Sequence, residues 1–247
     1  MTKVLSKSHT SQNFLTIFYI KLFYSASFLC KVMRVFKDRI DAGKRLSRIL
    51  EKYKNTANAV VFAIPRGGVV VARVVCDYLN LPMDIVVARK IGAPFNEELA
   101  IGAVVPGGRV LLNEDAVAIL RVSEDYIEKQ RLRKIEEIRR RLEMYRGSDA
   151  YANLEGKTAI IVDDGIATGY TVKAAVEFVR GLNAGRIIVA APVIAPDTLR
   201  ELQDLVDEVV YIYSEEPFYA VGQFYSDFRE VQDDEVLVML KNKRKGE

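Results

Sequence analysis

Ala159-Ile160-Ile161-Val162-Asp163-Asp164-Gly165-Ile166-Ala167-Thr168-Gly169-Tyr170-Thr171 joins an apolar run to two acids and a turn-forming stretch, and a helical apolar pattern follows. A short unbroken apolar run bounded by turn residues reads as a strand buried on both faces, the kind found in parallel sheets. Ligands of such sheets gather at the carboxyl ends of the strands, so Asp163 and Asp164 are expected at a site. The bend after them offers successive backbone N–H groups, the hydroxyls of Thr168 and Thr171, and the positive end of a helix starting near Thr171. Together these form a phosphate cradle. The common nucleotide loops do not fit: Tyr170 stands before Thr171 where G-x-x-x-x-G-K-[ST] needs lysine, and Gly165 and Gly169 do not make G-x-G-x-x-G. A carboxylate pair suits a sugar diol and the bend suits one phosphate. A phosphorylated ribose satisfies both.

Other strand-helix units flank this one. Ala59 to Ile64 reads as a strand, Pro65-Arg66-Gly67-Gly68 as a turn, and Val69 to Leu79 as a helix. Upstream, Ile40, Leu46, Ile49, Leu50 and Tyr53 keep a helical period after the N-cap candidate Asp38. Downstream, Arg186 to about Asp204 repeats strand and helix, and Glu208 to Tyr213 is a last strand. Alternation of this kind predicts an α/β fold, a parallel sheet with helices on both faces. Asp84 to Arg89 is a further strand, and the polar, Gly- and Pro-containing stretch from Lys90 to Pro106-Gly107-Gly108 suits a mobile loop. Asn113 to Leu120 predicts a short helix. A long inserted helix runs from Ser123 to Arg146, with Ile135, Ile138, Leu142 and Tyr145 as its buried stripe. Arg139-Arg140-Arg141 is interleaved with Glu136, Glu137 and Glu143, the pattern of a solvated face rather than a nucleic-acid patch. Ser214 to Leu240 is aromatic-rich and irregular until Val236 to Leu240, which reads as a strand outside the main sheet.

The chain has 247 residues, 50% hydrophobic and 28% charged, which fits one domain with an appendage and excludes wholesale disorder. A net charge of +3 makes no case for a nucleic-acid partner. The two cysteines, Cys30 and Cys76, are too few for a disulfide framework or a structural zinc site and fit a reducing, cytoplasmic compartment. His9 is the one histidine and lies in what reads as a tail. Histidine-based acid-base chemistry is thereby excluded, leaving carboxylates, hydroxyls, basic groups, backbone amides or an oxygen-bound Mg²⁺. Phe14 to Leu29 has the form of a signal-peptide core with a basic flank, yet Lys21 interrupts it and it is marginally short for a membrane span. Residues 1–32 are read as an N-terminal extension and 33–247 as the domain, beginning at Met33, with no membrane partner.

The apolar run, the Asp163-Asp164 pair and Ala167-Thr168-Gly169-Tyr170-Thr171 resemble the 5-phosphoribosyl-1-pyrophosphate (PRPP) signature of type I phosphoribosyltransferases. The resemblance covers most of Met33 to Leu240. It implies that family's fold, with a small C-terminal hood over about 214–240, and transfer of 5-phosphoribosyl from PRPP to a nitrogenous base with release of pyrophosphate. By the same resemblance Asp163 and Asp164 hold the ribose diol beside a PRPP-borne Mg²⁺, and Ala167, Thr168, Gly169, Tyr170 and Thr171 anchor the 5′-phosphate. Pro65, Arg66 and Gly67 look like the pyrophosphate loop, with a cis peptide between Pro65 and Arg66. Arg89 and Lys90 open a stretch similar in position to the family's flexible catalytic loop. Phe218 and Tyr219 resemble the base-stacking residues of the hood, and Arg229 its pyrophosphate-binding arginine. Departures bear on the acceptor. Val193-Ile194-Ala195 lacks the lysine of purine-specific relatives, and Ala167 replaces their loop acid, which leaves Glu97 or Glu98 as candidates to supply one. The resemblance also implies a homodimer. A PRPP-binding regulator without turnover and a sugar-phosphate or nucleotide hydrolase remain as alternatives that use the same residues.

Overall fold

The computed structural model describes residues 35–241, so the extension read over 1–32, His9, Cys30 and the domain start at Met33 lie outside the described residues. Five parallel strands form the main sheet: β1 (Ala59–Ala63), β2 (Met83–Ile85), β6 (Thr158–Val162), β7 (Arg186–Val193) and β8 (Glu208–Tyr213), in the order β2-β1-β6-β7-β8. Side chains alternate across it with the strand period of two. Val61, Ala63, Ile160, Val162, Ile188 and Ala190 face one core; Phe62, Ile64, Ala159, Ile161, Ile187 and Val189 face the other. Helices α1 (Arg39–Ile49) and α2 (Gly67–Leu79) cover the first face, and α5 (Tyr170–Gly181) and α6 (Pro196–Leu205) the second. This is the predicted α/β arrangement. Asp38 caps α1 as expected, its carboxylate accepting from the Asp41 amide at 2.8 Å.

Strand order reverses between β1 and β6. The chain leaves β1 for β2 on one side, and from β6 onward for β7 and β8 on the other. Connections diverge above such a switch point and open a crevice at the carboxyl ends of the two strands. Those ends are Pro65-Arg66-Gly67 and Asp163-Asp164.

Two expectations are corrected. The stretch from Lys90 to Gly108 is not a loop but most of a three-stranded antiparallel sheet of β3 (Arg89–Ala93), β4 (Asn96–Val104) and β5 (Val110–Leu112). Ile91, Ile101 and Val104 give it a buried face, and the Tyr126 hydroxyl donates to the Gly92 carbonyl at 3.0 Å. The strand read over Asp84–Arg89 accordingly divides, its start in the main sheet and its end in the second. Val236 to Leu240 is not a strand but part of helix α7 (Asp233–Lys241), which begins with Asp233, Asp234 and Glu235 and ends with Lys241, charges that complement the helix dipole. After β5 come the short helix α3 (Glu114–Ile119) and α4 (Glu124–Arg146), the predicted insert, whose Ile138, Leu142 and Tyr145 are buried. Arg139 and Arg140 are exposed as expected, but Arg141 turns inward and is 16% exposed.

Candidate active site

The peptide bond between Pro65 and Arg66 is cis, where the resemblance puts it. Just beyond it, α2 closely approaches the end of β6. Gly68 has no side chain because the Asp163 Cα and Oδ1 would lie 2.9 Å from its Cβ; a Cβ on Gly67 would run into the Asp164 carboxylate and into Arg39 Nε. The Pro-Arg-Gly-Gly turn and the acid pair therefore form one floor.

The two acids have different partners. Asp164 accepts from Arg39 Nε at 2.6 Å in a pair whose side chains are 10% and 14% exposed, and its carbonyl accepts from the Tyr225 hydroxyl at 2.5 Å. Arg39 also donates to the Arg229 carbonyl at 2.8 Å and lies 3.9 Å over the Phe228 ring. Asp163 accepts from the Asp164 amide at 2.9 Å. Burial, and then the Asp164 charge, push the Asp163 carboxyl well above the ordinary carboxylate range, with Lys90 opposing them. Burial also raises Asp164, against the pull of Arg39. An acid pair of this kind is ready to donate to or accept from hydroxyls and to gain from any cation brought to it.

Above the floor lies a cleft of about 580 Å³ with Arg66, Arg89, Lys90, Asp163, Asp164 and Thr171 in its lining. A smaller hollow of about 150 Å³ adjoins it, bounded by Gly165 to Val172, Lys90 and Val221. The bend is held by main-chain bonds from Ile166 to the Val193 carbonyl and from Ala195 to the Ile166 carbonyl, at 2.9 and 2.8 Å, and by the Thr198 hydroxyl donating to the Ala167 carbonyl. Gly169 caps α5 with φ +73°, a left-handed conformation that favours glycine, so the amides of the first helical turn open onto the hollow. A larger hollow of about 720 Å³ lies on the far side of the bend, against Asn113, Lys173 and Glu201, and does not include the acid pair.

The structure thus brings together Pro65, Arg66, Gly67, Arg89, Lys90, Asp163, Asp164 and the bend from Ala167 to Thr171, with Thr168 exposed at its outer edge. It does not bring Arg229 among them: this exposed side chain is bound to Glu235 at 2.6 and 2.9 Å. Nor does Tyr219 cover the hollow; it is 84% exposed, while Phe218 packs on Phe224 at 5.3 Å between ring centroids. Val221, from the segment after β8, lines the hollow, close to where a Cβ on Gly165 would fall. Glu97 is exposed on β4, and the Glu98 side chain lies outside the described set. The sequence reading missed Arg39, Lys134, Glu137 and Arg141. Lys134, Glu137 and Arg141 share one helix face by their spacing, a signal that was available; Arg39 has no local signal, because its partner stands 125 positions away.

A family model described as a phosphoribosyl transferase domain matches residues 36–229. The chain is 39% identical over 208 residues to the Mycobacterium tuberculosis protein "Putative phosphoribosyl transferase MT0597", covering 84% of this chain and 47% of that one. It spans about half the length of the curated relatives it matches. The crystal structure of TT1426 from Thermus thermophilus superposes with a TM-score of 0.70 at 38% identity, over 83% of this chain and 97% of that one. The chain belongs to the type I phosphoribosyltransferase family and has its fold. Among the described residues no helix is long and apolar enough to cross a membrane.

Proposed function

We propose that this protein transfers the 5-phosphoribosyl group of PRPP to a nitrogenous acceptor and releases pyrophosphate. The observation that carries this reading is the meeting, at one switch point, of an acid pair, a turn that lines the same cleft, and the bend at the helix start. Asp163 and Asp164 bind the ribose 2′- and 3′-hydroxyls, Arg39 fixing the orientation of Asp164. The first-turn amides from Ala167 to Thr171, with the Thr168 and Thr171 hydroxyls, hold the 5′-phosphate. Arg66, Arg89 and Lys90 bind the diphosphate, and Arg66 can reach it by leaving Glu230 and Asp233, its present partners. Fixed donors and cations of this kind act on the charge that develops as the C1–O bond breaks, which is where electrostatic catalysis gains most.

The donor set fits a Mg²⁺ carried in by the substrate. Two carboxylates stand together, and no group of three potential ligands exists among the described residues. Mg²⁺ is typically held by one or two carboxylates plus substrate phosphates. Bound there, near Asp163 and Asp164, it would offset diphosphate charge and aid departure of the leaving group. Tyr219 or Phe218 remains the proposed contact for the base, Glu97 or Glu98 the proposed acid toward it, and Arg229 a further pyrophosphate ligand; each requires the hood or hairpin to rearrange. A homodimer and a cytoplasmic location go with this reading, from the family resemblance and the cysteine count.

The test is a panel of bases with Mg-PRPP, reading pyrophosphate by a coupled assay and products by mass. Asp163→Asn and Asp164→Asn should each lower PRPP use more than about tenfold, the loss of about 1.4 kcal/mol of differential binding. Unchanged kinetics in both variants removes the diol assignment. PRPP binding with no release would point to a regulator, and ribose phosphate formed without a base to a hydrolase.

A further inference from the structure

We infer that the inserted helix α4 forms a second, cationic wall of the diphosphate site, and that Glu137 on that helix is a built-in competitor for the anion. The inference rests on the transferase reading above.

Lys134, Glu137 and Arg141 recur at i, i+3 and i+7 and fall within an arc of about 60° on an ideal helix. That arc borders the buried stripe of Ile138, Leu142 and Tyr145, so packing of the stripe turns all three polar side chains toward the turn at Pro65-Arg66-Gly67. They line the same cleft as Asp163 and Asp164, from the opposite side. The Glu137 carboxylate lies 3.7 Å from Arg89 Nε, 3.4 Å from Arg133 Nε and 3.2 Å from Lys134 Nζ. One carboxylate thus stands among three cations, leaving a local excess of positive charge.

Two features mark this cluster as unfinished. Arg89 Nε is buried and makes no hydrogen bond, the Glu137 oxygen being too far to accept one. Arg141 stands 3.6 Å from Asp233 and its Nη1 lies 3.1 Å from the Tyr145 hydroxyl, and Asp233 is shared with Arg66 at 3.7 Å. Burial and the neighbouring Arg141 press the Arg89 guanidinium below its usual range, as expected of cations held together without a sufficient counter-charge. A diphosphate carries the charge and the several acceptor oxygens that these donors lack, and guanidinium groups bind such oxygens in pairs. When it enters, Glu137 is displaced toward solvent and Arg133, where it is already half-exposed.

Calorimetric titration of the full-length chain with inorganic pyrophosphate in Mg²⁺, and separately with ribose 5-phosphate, tests this. Arg141→Gln and Lys134→Gln should each weaken pyrophosphate binding about fivefold or more, while Glu137→Gln should tighten it about tenfold, because a like charge within a few ångströms is removed. A merely structural ion cluster predicts unchanged or weaker binding in Glu137→Gln. Ribose 5-phosphate affinity should stay the same in all three. Lys134→Gln, whose partner is Glu137, keeps the test decisive if Arg141→Gln fails to fold. Pyrophosphate affinities unchanged in Glu137→Gln and Lys134→Gln, with ribose 5-phosphate still bound, overturn the inference and leave the transferase reading standing. Failure of the unaltered chain to bind ribose 5-phosphate overturns the transferase reading instead.

Discussion

The acidic wall of the cleft stands on the ends of β1 and β6, strands buried on both faces, whereas the basic wall stands on an antiparallel sheet and a 23-residue helix with one narrow apolar stripe. On the acidic side each charge has few partners: Asp164 has Arg39, and Asp163 has the Asp164 amide and the distant pull of Lys90. On the basic side Arg141 and Lys134 are as covered as Asp164, at 16% and 17% exposed, but the charges share acids among themselves, Glu137 serving three cations and Asp233 serving Arg66, Arg141 and Tyr145. The difference teaches where a lost partner is costly. In the first wall no second charge stands in for it; in the second one does.

The sharpest way to break that contrast is Arg39→Ala. It strips a buried carboxylate of its counter-charge and the hood of its stacking contact, so stability should fall by about 3–5 kcal/mol in urea unfolding. A loss below about 1 kcal/mol would show that water reaches Asp164 after all. Asp163→Asn should act in the other direction. Because the folded-state pKa of Asp163 is raised, the folded protein holds a proton that the unfolded chain gives up at lower pH. Stability from this group is therefore complete below the ordinary carboxylate range and drains away as pH rises toward the folded pKa. Melting temperatures measured with metal chelated, from about pH 4 to neutrality, should decline more steeply in the parent than in Asp163→Asn. Equal slopes would mean that the pair is not ionising under strain.

Effects should shrink in the basic wall. Tyr145 is 6% exposed and donates to Asp233, and burial together with that bond pushes its phenol up to about 12. Its partner is more open, at 38% side-chain exposure, so Tyr145→Phe should cost only about 1 kcal/mol by denaturant unfolding. The smallest change is expected from Arg229→Ala, which removes a solvent-exposed pair with Glu235 and should leave the melting temperature indistinguishable from the parent. A measurable drop would place Arg229 among the residues that hold the segment between β8 and α7 in position.

The main sheet was readable because Ala59 to Ala63, Ala159 to Val162 and Ile187 to Val193 are continuous apolar runs, which sheets covered on both faces require. The acid pair and the bend were readable because their chemistry is contiguous. The second sheet was not: Gly92, Pro94 and the acids Glu97 and Glu98 look like loop, and its strands are secured by Ile101 and Val104 packing across to elements far along the chain. Val236 to Leu240 shows the opposite failure. Five apolar residues fit strand or helix equally, and the decision comes from the acids before them and the contact of α7 with α2. The base contacts implied by the resemblance, Phe218 and Tyr219, are not at the hollow, because Tyr219 faces solvent and Phe218 packs on Phe224.

The clasp between Phe36 and Phe224 to Ser226 has a bearing on how the molecule is made. Arg39 meets Asp164 across 125 positions and the Arg229 carbonyl across 190, and Tyr225 reaches back 61 positions to Asp164. Contacts of such separation close late, since loop entropy opposes them until most of the chain is compact. On the ribosome, strands β1, β6 and β7 and the Arg39–Asp164 pair can form before the segment around Tyr225 has emerged. The Tyr225 bond to the Asp164 carbonyl and the Phe228 ring under Arg39 close over the acid pair last, when that segment leaves the exit tunnel and docks against the start of α1.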